Sequence, residues 1–440
     1  MSTFVNANNT MHITSNLRNM FIDVAFDRIN NHYRNKKQLS SHLLENKICK
    51  RLHEMFGPLP PSYVHNRLEF RNQQQKIFKA LAEDKKNLVM QRSPEWFKMR
   101  ENLISASDFH LAVGSLDKVT KGENKQLYKK KCGYESQDFT TAPAMLHGVK
   151  FESVACNIYS YQNNTKVTDF GLIQHPEHSF IGASPDGITS DGVMLEIKNP
   201  YSRIIHRGTG VPSEYYLQIQ GQLEVCNLEE CDYFECSFKF YKTTADFLSD
   251  KDDSNTYSKD LLEKGVIITY YDSKLQKTEY IYSDIYTTSN EKMEWVENTL
   301  NTYKKDSTKT VCNVEYWKKE YQNLIRVYRN KKEFEEIIFP RLNDVWSTIL
   351  RYRNDKNSYM DEVVKTRTRR SNSNISIIDS QSSVGGDITP LSTSPQASSF
   401  MISLNMDEAL ANQNPTFELN PEEKKQLLKR MLQSSGMHSA

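Results

Sequence analysis

Asp186, Glu196 and Lys198 are the residues of this sequence whose types and spacing point most directly to chemistry. Asp186 sits in a tight Pro-Asp-Gly turn. Glu196 and Lys198 are two residues apart on an apolar run, Val193 to Lys198, that reads as a strand. Side chains alternate along a strand, so Leu195 and Ile197 face one way and Glu196 and Lys198 the other. Two charges on an inward face are costly to bury unless something uses them. Two carboxylates with a strand carbonyl between them suit Mg²⁺ or Mn²⁺, which take oxygen ligands and keep several waters. A lysine beside such an ion can orient or deprotonate a water, or offset charge on a pentavalent phosphorane. Metal-assisted phosphodiester hydrolysis needs these parts. Glu152 is a further candidate ligand. It shares a helix face with Val149, Ala155, Cys156 and Tyr159, where a carboxylate is unusual without a cation to meet. The bland alternatives are a surface hairpin with ordinary charges and, for Glu152, an ion pair with a core Arg or Lys.

The elements that position these residues are legible around them. Asp191-Gly192 is a two-residue hairpin signal between strands at Gly187 to Ser190 and Val193 to Lys198. Ser93-Pro94 reads as a helix start, with Ser at the cap and Pro at the first position. Helices are expected from Ala142 to about Tyr161, Tyr215 to about Asn227 and Asn290 to about Tyr303. Strands are expected at Gly171 to Ile181, Asp232 to Tyr241, Val266 to Tyr271 and, more weakly, Glu279 to Tyr282. Strands mixed with helices in this order imply an α/β (α+β) fold with a central mixed β-sheet flanked by helices. Residues 1–90 read as a helical accessory region, residues 91–305 as the core domain and residues 306–364 as a helical extension. From Lys365 the composition falls to Ser, Thr, Asn, Gly and Pro. Residues 365–440 therefore read as a disordered tail with a short amphipathic helix over 420–434.

Bulk properties narrow the class. The chain has 440 residues, and 57 Lys and Arg stand against 55 Asp and Glu, a formal charge of +2. With no global basic signature, a nucleic-acid partner must be met by local clusters. Residues 115–131 hold six lysines against two acids and end in Lys129, Lys130 and Lys131. They read as a basic loop able to grip a phosphate backbone. Arg203, His206 and Arg207, in the loop after the Lys198 strand, are candidates for the same role, as is the Lys365 to Arg370 cluster. Seven cysteines, an odd number without framework spacing, point to a reducing compartment. Cys226, Cys231 and Cys236 cross from a helical into a strand pattern with no His to complete a zinc site. His175 and His178 flank a Pro and read as a turn. No segment reaches the roughly 20 apolar residues of a membrane span, so a non-membrane intracellular protein is expected.

The motifs in sequence carry a family likeness. Glu95 to Arg100, Ile104 to Ser107, Gly148 with Glu152, Ala183 to Gly187, Leu195 to Pro200 and Tyr216 to Gln220 follow one another in an order that resembles the YqaJ-type viral recombinases. These are the lambda exonuclease-like branch of the PD-(D/E)xK nucleases, and the wording here looks like the versions of large DNA viruses. The resemblance covers about residues 91–300 and leaves both ends of the chain outside. It implies a Mg²⁺-dependent exonuclease that degrades linear double-stranded DNA from 5′ ends and leaves single strands for recombination, repair or genome processing. It also implies roles: Asp186, Glu196, Glu152 and the carbonyl of Ile197 on the metal, Lys198 as catalytic lysine, and Gln218 positioning the lysine or water. Arg100, Ser107 and Ser184 would bind a 5′-phosphate, a task that guanidinium and hydroxyl groups suit. A single-strand annealing protein as partner, a ring-shaped trimer, and the cytoplasm or nucleus of an infected cell follow from the same likeness. The rivals are a structure-specific or nicking endonuclease of the same fold and a catalytically silent DNA-binding or recruitment protein. A covalently closed circle separates the first rival, and the intact Asp-Glu-Lys set speaks against the second.

Overall fold

A computed structural model describes residues 7–36, 39–89, 91–114, 116, 124–134, 142–205 and 210–364. The tail beyond 364, with the expected helix at 420–434 and the Lys365 to Arg370 cluster, lies outside the described residues, as do His206 and Arg207. Three helices lead: α1 (Ala7–Lys36), α2 (Ser41–Phe56) and α3 (Tyr63–Glu83). Then come α4 (Pro94–Glu101), β1 (Ile104–Ser105), a 3-10 turn over Ala106–Asp108, α5 (Phe109–Val113), α6 (Asn124–Cys132) and α7 (Pro143–Gln162). The sheet-forming part follows: β2 (Val167–Thr168), β3 (Ile173–Gln174), β4 (Ile181–Ala183), β5 (Gly187–Thr189), β6 (Met194–Lys198), α8 (Ser213–Cys226), β7 (Glu230–Phe240), α9 (Thr244–Ser249), β8 (Lys264–Asp272), β9 (Lys277–Tyr282), α10 (Ser289–Lys305) and β10 (Lys309–Tyr328). The chain closes through α11 (Lys331–Glu333), α12 (Phe339–Asn354) and α13 (Lys356–Tyr359), with π-helical turns after α11 and α13.

Seven strands form one mixed sheet in the order β2-β5-β6-β7-β10-β8-β9. Only β6 and β7 run parallel within it, with Glu196 opposite Tyr233. A parallel pair needs a crossover, and α8 supplies it. That requirement lays α8 across the face of β6 on which Met194, Glu196 and Lys198 stand. The other face of β6 carries Leu195 and Ile197 into a second core with Phe151, Val154 and Ile158 of α7 and Phe234 and Phe238 of β7. Strand β6 is thus covered on both faces, which explains its apolar run. A small sheet, β1-β4-β3, packs beside α8 and the 3-10 turn.

Residues 309–328 correct the expectation of a helical extension over 306–364. They form a strand of 20 residues at the middle of the sheet, pairing β7 with one half and β8 with the other. Its apolar periodicity is broken because Lys319, Asn323 and Arg326 are buried charges and amides with partners: Glu263, Glu235 and Asp232. The helical expectation holds from 331 to 364.

The leading helices are joined to the sheet by buried ion pairs. Arg71 of α3 donates to Asp27 of α1 at 2.6 and 2.8 Å and also to Glu230 of β7. Arg67 of α3 reaches Glu230 at 2.8 Å, and Arg326 of β10 reaches Asp232 at 2.8 and 3.0 Å and Asp27 as well. Met20 and Phe21 of α1 enter the main core.

Candidate active site

The β5–β6 hairpin builds the first half of the site. Gly192 takes φ 75°, the left-handed conformation that the Asp191-Gly192 turn requires. The Thr189 hydroxyl accepts from the Val193 N–H at 3.0 Å, closing the turn. Antiparallel pairing of Gly187 with Leu195 then sets Asp186 beside the end of β6. Its Oδ2 accepts from the Ile197 N–H at 2.7 Å. Asp186, Glu196, Lys198 and the Ile197 backbone are therefore brought together.

Glu196 is fully buried and saturated with donors. Its Oε1 accepts from Lys198 Nζ and from Gln218 Nε2 at 2.8 Å, and its Oε2 accepts from Gln222 Nε2 at 2.8 Å. Gln218 and Gln222 stand one turn apart on α8, the spacing at which two helix residues address one point. Gln220, the other member of the Gln-x-Gln pair, turns away to the Tyr328 carbonyl and the Asn330 N–H. Sequence reasoning named Gln218 and missed Gln222. The signal for it was the i, i+4 spacing on a helix that had to cross the Glu196 face. Lys198 also lies over the Tyr215 ring, 4.7 Å from its centroid.

The carboxylates are electrostatically linked. Burial pushes the Asp186 carboxyl up, and the charges of Glu196 and Glu152 push it further, well above the usual carboxylate range despite Lys198 and the Ile197 N–H. Glu152 is raised in the same way, by burial first and then by Glu196 and Asp169, against the pull of Arg92. Burial alone would lower the Lys198 ammonium, but Glu196 and Asp186 outweigh it and hold it well above its ordinary value. Lys198 is thus a cation while it faces both acids.

Glu152, Asp169, Asp186 and Ile197 line one cleft of about 860 Å³, with Arg92 at its side. Arg92 pairs with Glu152 at 3.2 Å from a backbone with φ 66°, a conformation uncommon for a non-glycine residue. Asp169 is a second residue that sequence reasoning passed over, since no strand pattern singled it out. Asp186 and Glu152, each raised by burial and by neighbouring carboxylates, belong to a donor set short of positive charge, and hard oxygen ligands fit Mg²⁺ or Mn²⁺. Among the described residues, no group of three or more His, Cys, Asp or Glu is arranged to hold a metal ion.

A second cluster lies around the 3-10 turn. Arg100 of α4 donates to the Ser105 hydroxyl at 2.8 Å and the Ser107 hydroxyl at 3.2 Å, and its guanidinium lies 4.4 Å from the centre of the Trp96 ring. Trp96 donates from Nε1 to the Ser184 hydroxyl at 3.0 Å. Arg100 and Ser107 are therefore in contact, while Ser184 joins them through the indole. The loop expected over 115–131 is corrected in its second part: residues 124–132 form α6, because Leu127 and Cys132 turn into the core. This carries Lys131 inward. It is buried and donates to the Arg100 carbonyl at 2.6 Å, while Lys130 pairs with Asp108 at 2.7 Å. Burial depresses the Lys131 amine to about 7, opposed by Asp108. Burial would raise Asp108, but Lys130, Lys131 and Arg100 hold it below the usual range. Lys129 lies on the last turn of α6. Arg203 is engaged with buried Glu235 at 2.5 Å rather than standing clear for a phosphate. His175 caps the turn at Glu177 and His178 through Nδ1, as the flanking Pro suggested.

The YqaJ-like viral recombinase domain matches residues 95–229. The match takes in about a third of the chain. The YqaJ-like domain runs from α4 to the start of β7 and so contains Arg100, Ser107, Glu152, Asp186, Glu196, Lys198, Gln218 and Gln222. An uncharacterized protein of Acanthamoeba polyphaga mimivirus is 31% identical over 310 residues, 62% of this chain and 55% of that protein. The chain thus spans about half the length of this curated relative. Among solved structures, an alkaline exonuclease (LHK-Exo) from Laribacter hongkongensis is 17% identical, covering 63% of this chain and 100% of that one with a TM-score of 0.34. A phage-related exonuclease from Haemophilus somnus is 11% identical, over 59% of this chain and 96% of that one, with a TM-score of 0.32. No helix among the described residues is long and apolar enough to cross a membrane.

Proposed function

We propose that this chain is a Mg²⁺-dependent exonuclease that hydrolyses linear double-stranded DNA from 5′ ends, with Mn²⁺ able to replace Mg²⁺. One observation carries the reading: Asp186, Glu196 and Lys198 converge at the end of β6 within a YqaJ-like domain, with Glu196 steadied by Gln218 and Gln222. Asp186, Glu196, the Ile197 carbonyl and Glu152 are the groups that would hold the ion, whose part is to polarise the phosphate and lower the pKa of a bound water. Lys198, held as a cation, offsets the negative charge carried by the phosphoryl oxygens as water adds and the bond to the leaving oxygen breaks. Gln218 and Gln222 fix the carboxylate against which the lysine is oriented. Arg100 and Ser107, with Ser184 joined to them through Trp96, receive the 5′-phosphate, and Ser105 and Lys131 steady Arg100 through its guanidinium and its carbonyl. An annealing protein as partner and a trimeric ring rest on family likeness alone, and the solution mass of the purified chain tests the ring.

Metal removal gives a direct test. EDTA is expected to abolish hydrolysis of a linear duplex and added Mg²⁺ to restore it. Cleavage undiminished in EDTA would overturn the metal assignment.

A further inference from the structure

The end of β6 opens onto a surface that the catalytic set does not use. Asn199 follows Lys198 directly, and Tyr201 lies three residues past it, so within about 11 Å along the chain. Tyr201 is 59% exposed and Phe240, at the end of β7, 38%. Met145 and Leu146, on the first turn of α7 and next to His147 in the chain, are exposed as well. Between these side chains stands the His147 ring, 5.4 Å from the Tyr201 ring and 6.4 Å from that of Phe240, with Phe151 beneath at 4.7 Å. Asn199 is tied to the same place through Gly148, whose carbonyl accepts from Nδ2 at 3.5 Å. His147 precedes Glu152 by five residues of one helix, roughly 7.5 Å along its axis. The two side chains lie about 140° apart around that helix, and the shelf adjoins the catalytic set through Asn199, next to Lys198 at the end of β6.

Among the described residues, two polar atoms at the floor of this shelf have no partner. His147 Nε2 and Asn199 Oδ1 are both buried without a hydrogen bond, and each residue is only 8% exposed. Such atoms cost free energy unless something meets them. Burial and the Lys150 ammonium hold the His147 imidazole below its usual range, so the ring offers one N–H and one lone pair. An aromatic, partly exposed rim above unmet polar atoms is what a flat heterocycle with polar edges fits.

Resting on the exonuclease reading, we propose that this shelf receives an unpaired nucleobase of the DNA strand next to the scissile phosphate. Tyr201 and Phe240 give the stacking surface, and His147 and Asn199 address the base edge. The shelf separates the base being released from its partner and so helps set where the strand is cut.

The test compares hairpin duplexes with a 5′-phosphate end, one intact and two carrying an abasic residue at the first or the second nucleotide. Binding of the full chain is followed by fluorescence anisotropy without added divalent cation, so nothing is consumed. The intact end is expected to bind about ten-fold more tightly than at least one abasic end, in line with base–aromatic stacking. Tyr201→Ala should bind all three DNAs alike, and Tyr201→Phe should restore the difference. Equal affinities in the unaltered chain, or an undiminished difference in Tyr201→Ala, would overturn the proposal. Because cleavage is not the readout, a chain that discriminates yet never cuts would keep the shelf and sink the exonuclease reading. A chain that cuts without discriminating would do the reverse.

Discussion

Lys198 is a cation because two acids face it, and that fixes what it can do. Lys198→Ala should lower the hydrolysis rate on the order of 10²- to 10³-fold, as for loss of a group that meets transition-state charge. DNA affinity should change little. Normal cleavage by the variant would show that the lysine has no catalytic part. Gln222→Ala leaves one oxygen of a buried carboxylate without its donor, and cleavage should fall about ten-fold with little loss of binding. Arg100→Ala should weaken action on 5′-phosphorylated duplexes far more than on 5′-hydroxyl ends, and an equal loss on both would refute the phosphate pocket. At this scale the sequence spoke through residue types at short spacing: Asp186, Glu196 and Lys198 belong to one hairpin. Asp169 was silent and Gln222 signalled only by its spacing from Gln218, because their partners come from distant segments that the fold brings near.

At the scale of elements, α8 decides whether the two halves of the site meet. Gly221 packs directly on the Phe109 ring, and a Cβ there would collide with it. The same contact sets α8 against the 3-10 turn that carries Ser107 and Asp108. Gly221→Ala should cost about 1–3 kcal/mol of stability by overpacking and shift the phosphate cluster relative to Glu196. Thermal melting and 5′-phosphate preference measured together check this, and a variant unchanged in both would mean that α8 is free to slide. Hairpin and helix starts were legible from local rules, such as the Asp191-Gly192 turn and the Ser93 cap with Pro94. Strand β10 was not, since hydrophobic periodicity assumes that charges face water. Lys319, Asn323 and Arg326 instead find partners inside the sheet.

The whole molecule is held together by charge as well as by apolar cores. Burial would raise the Glu230 carboxyl, yet Arg71, Arg326 and Arg67 outweigh it and bring it from 4.5 down to about 2. Asp27 is lowered in the same way: burial opposes it, and Arg71, Arg326 and Arg67 prevail. Above pH 4.5 both folded and unfolded chains carry these charges, and the stabilisation is complete. As pH falls below that, the unfolded chain takes protons that the folded chain refuses, so stability drops until about pH 2. Glu230 alone accounts for on the order of 3 kcal/mol of this loss. Tm followed from pH 6 to pH 2 should fall through that window, and Glu230→Gln should flatten the slope while lowering Tm at neutral pH. A slope identical in the variant would show that the network does not govern acid stability. Composition and charge placed residues 1–90 outside the core domain, because local patterns cannot show that Asp27 and Arg71 share partners with β7 and β10.

The central claim is exonuclease action from 5′ ends, and one time course addresses it. The purified chain is given Mg²⁺ with a linear duplex labelled at one 5′ or one 3′ end, beside a covalently closed circle. Prompt release of the 5′ label, slow loss of the 3′ label and an intact circle are the predicted result. Cutting of the circle, or release of the 3′ label first, would contradict it.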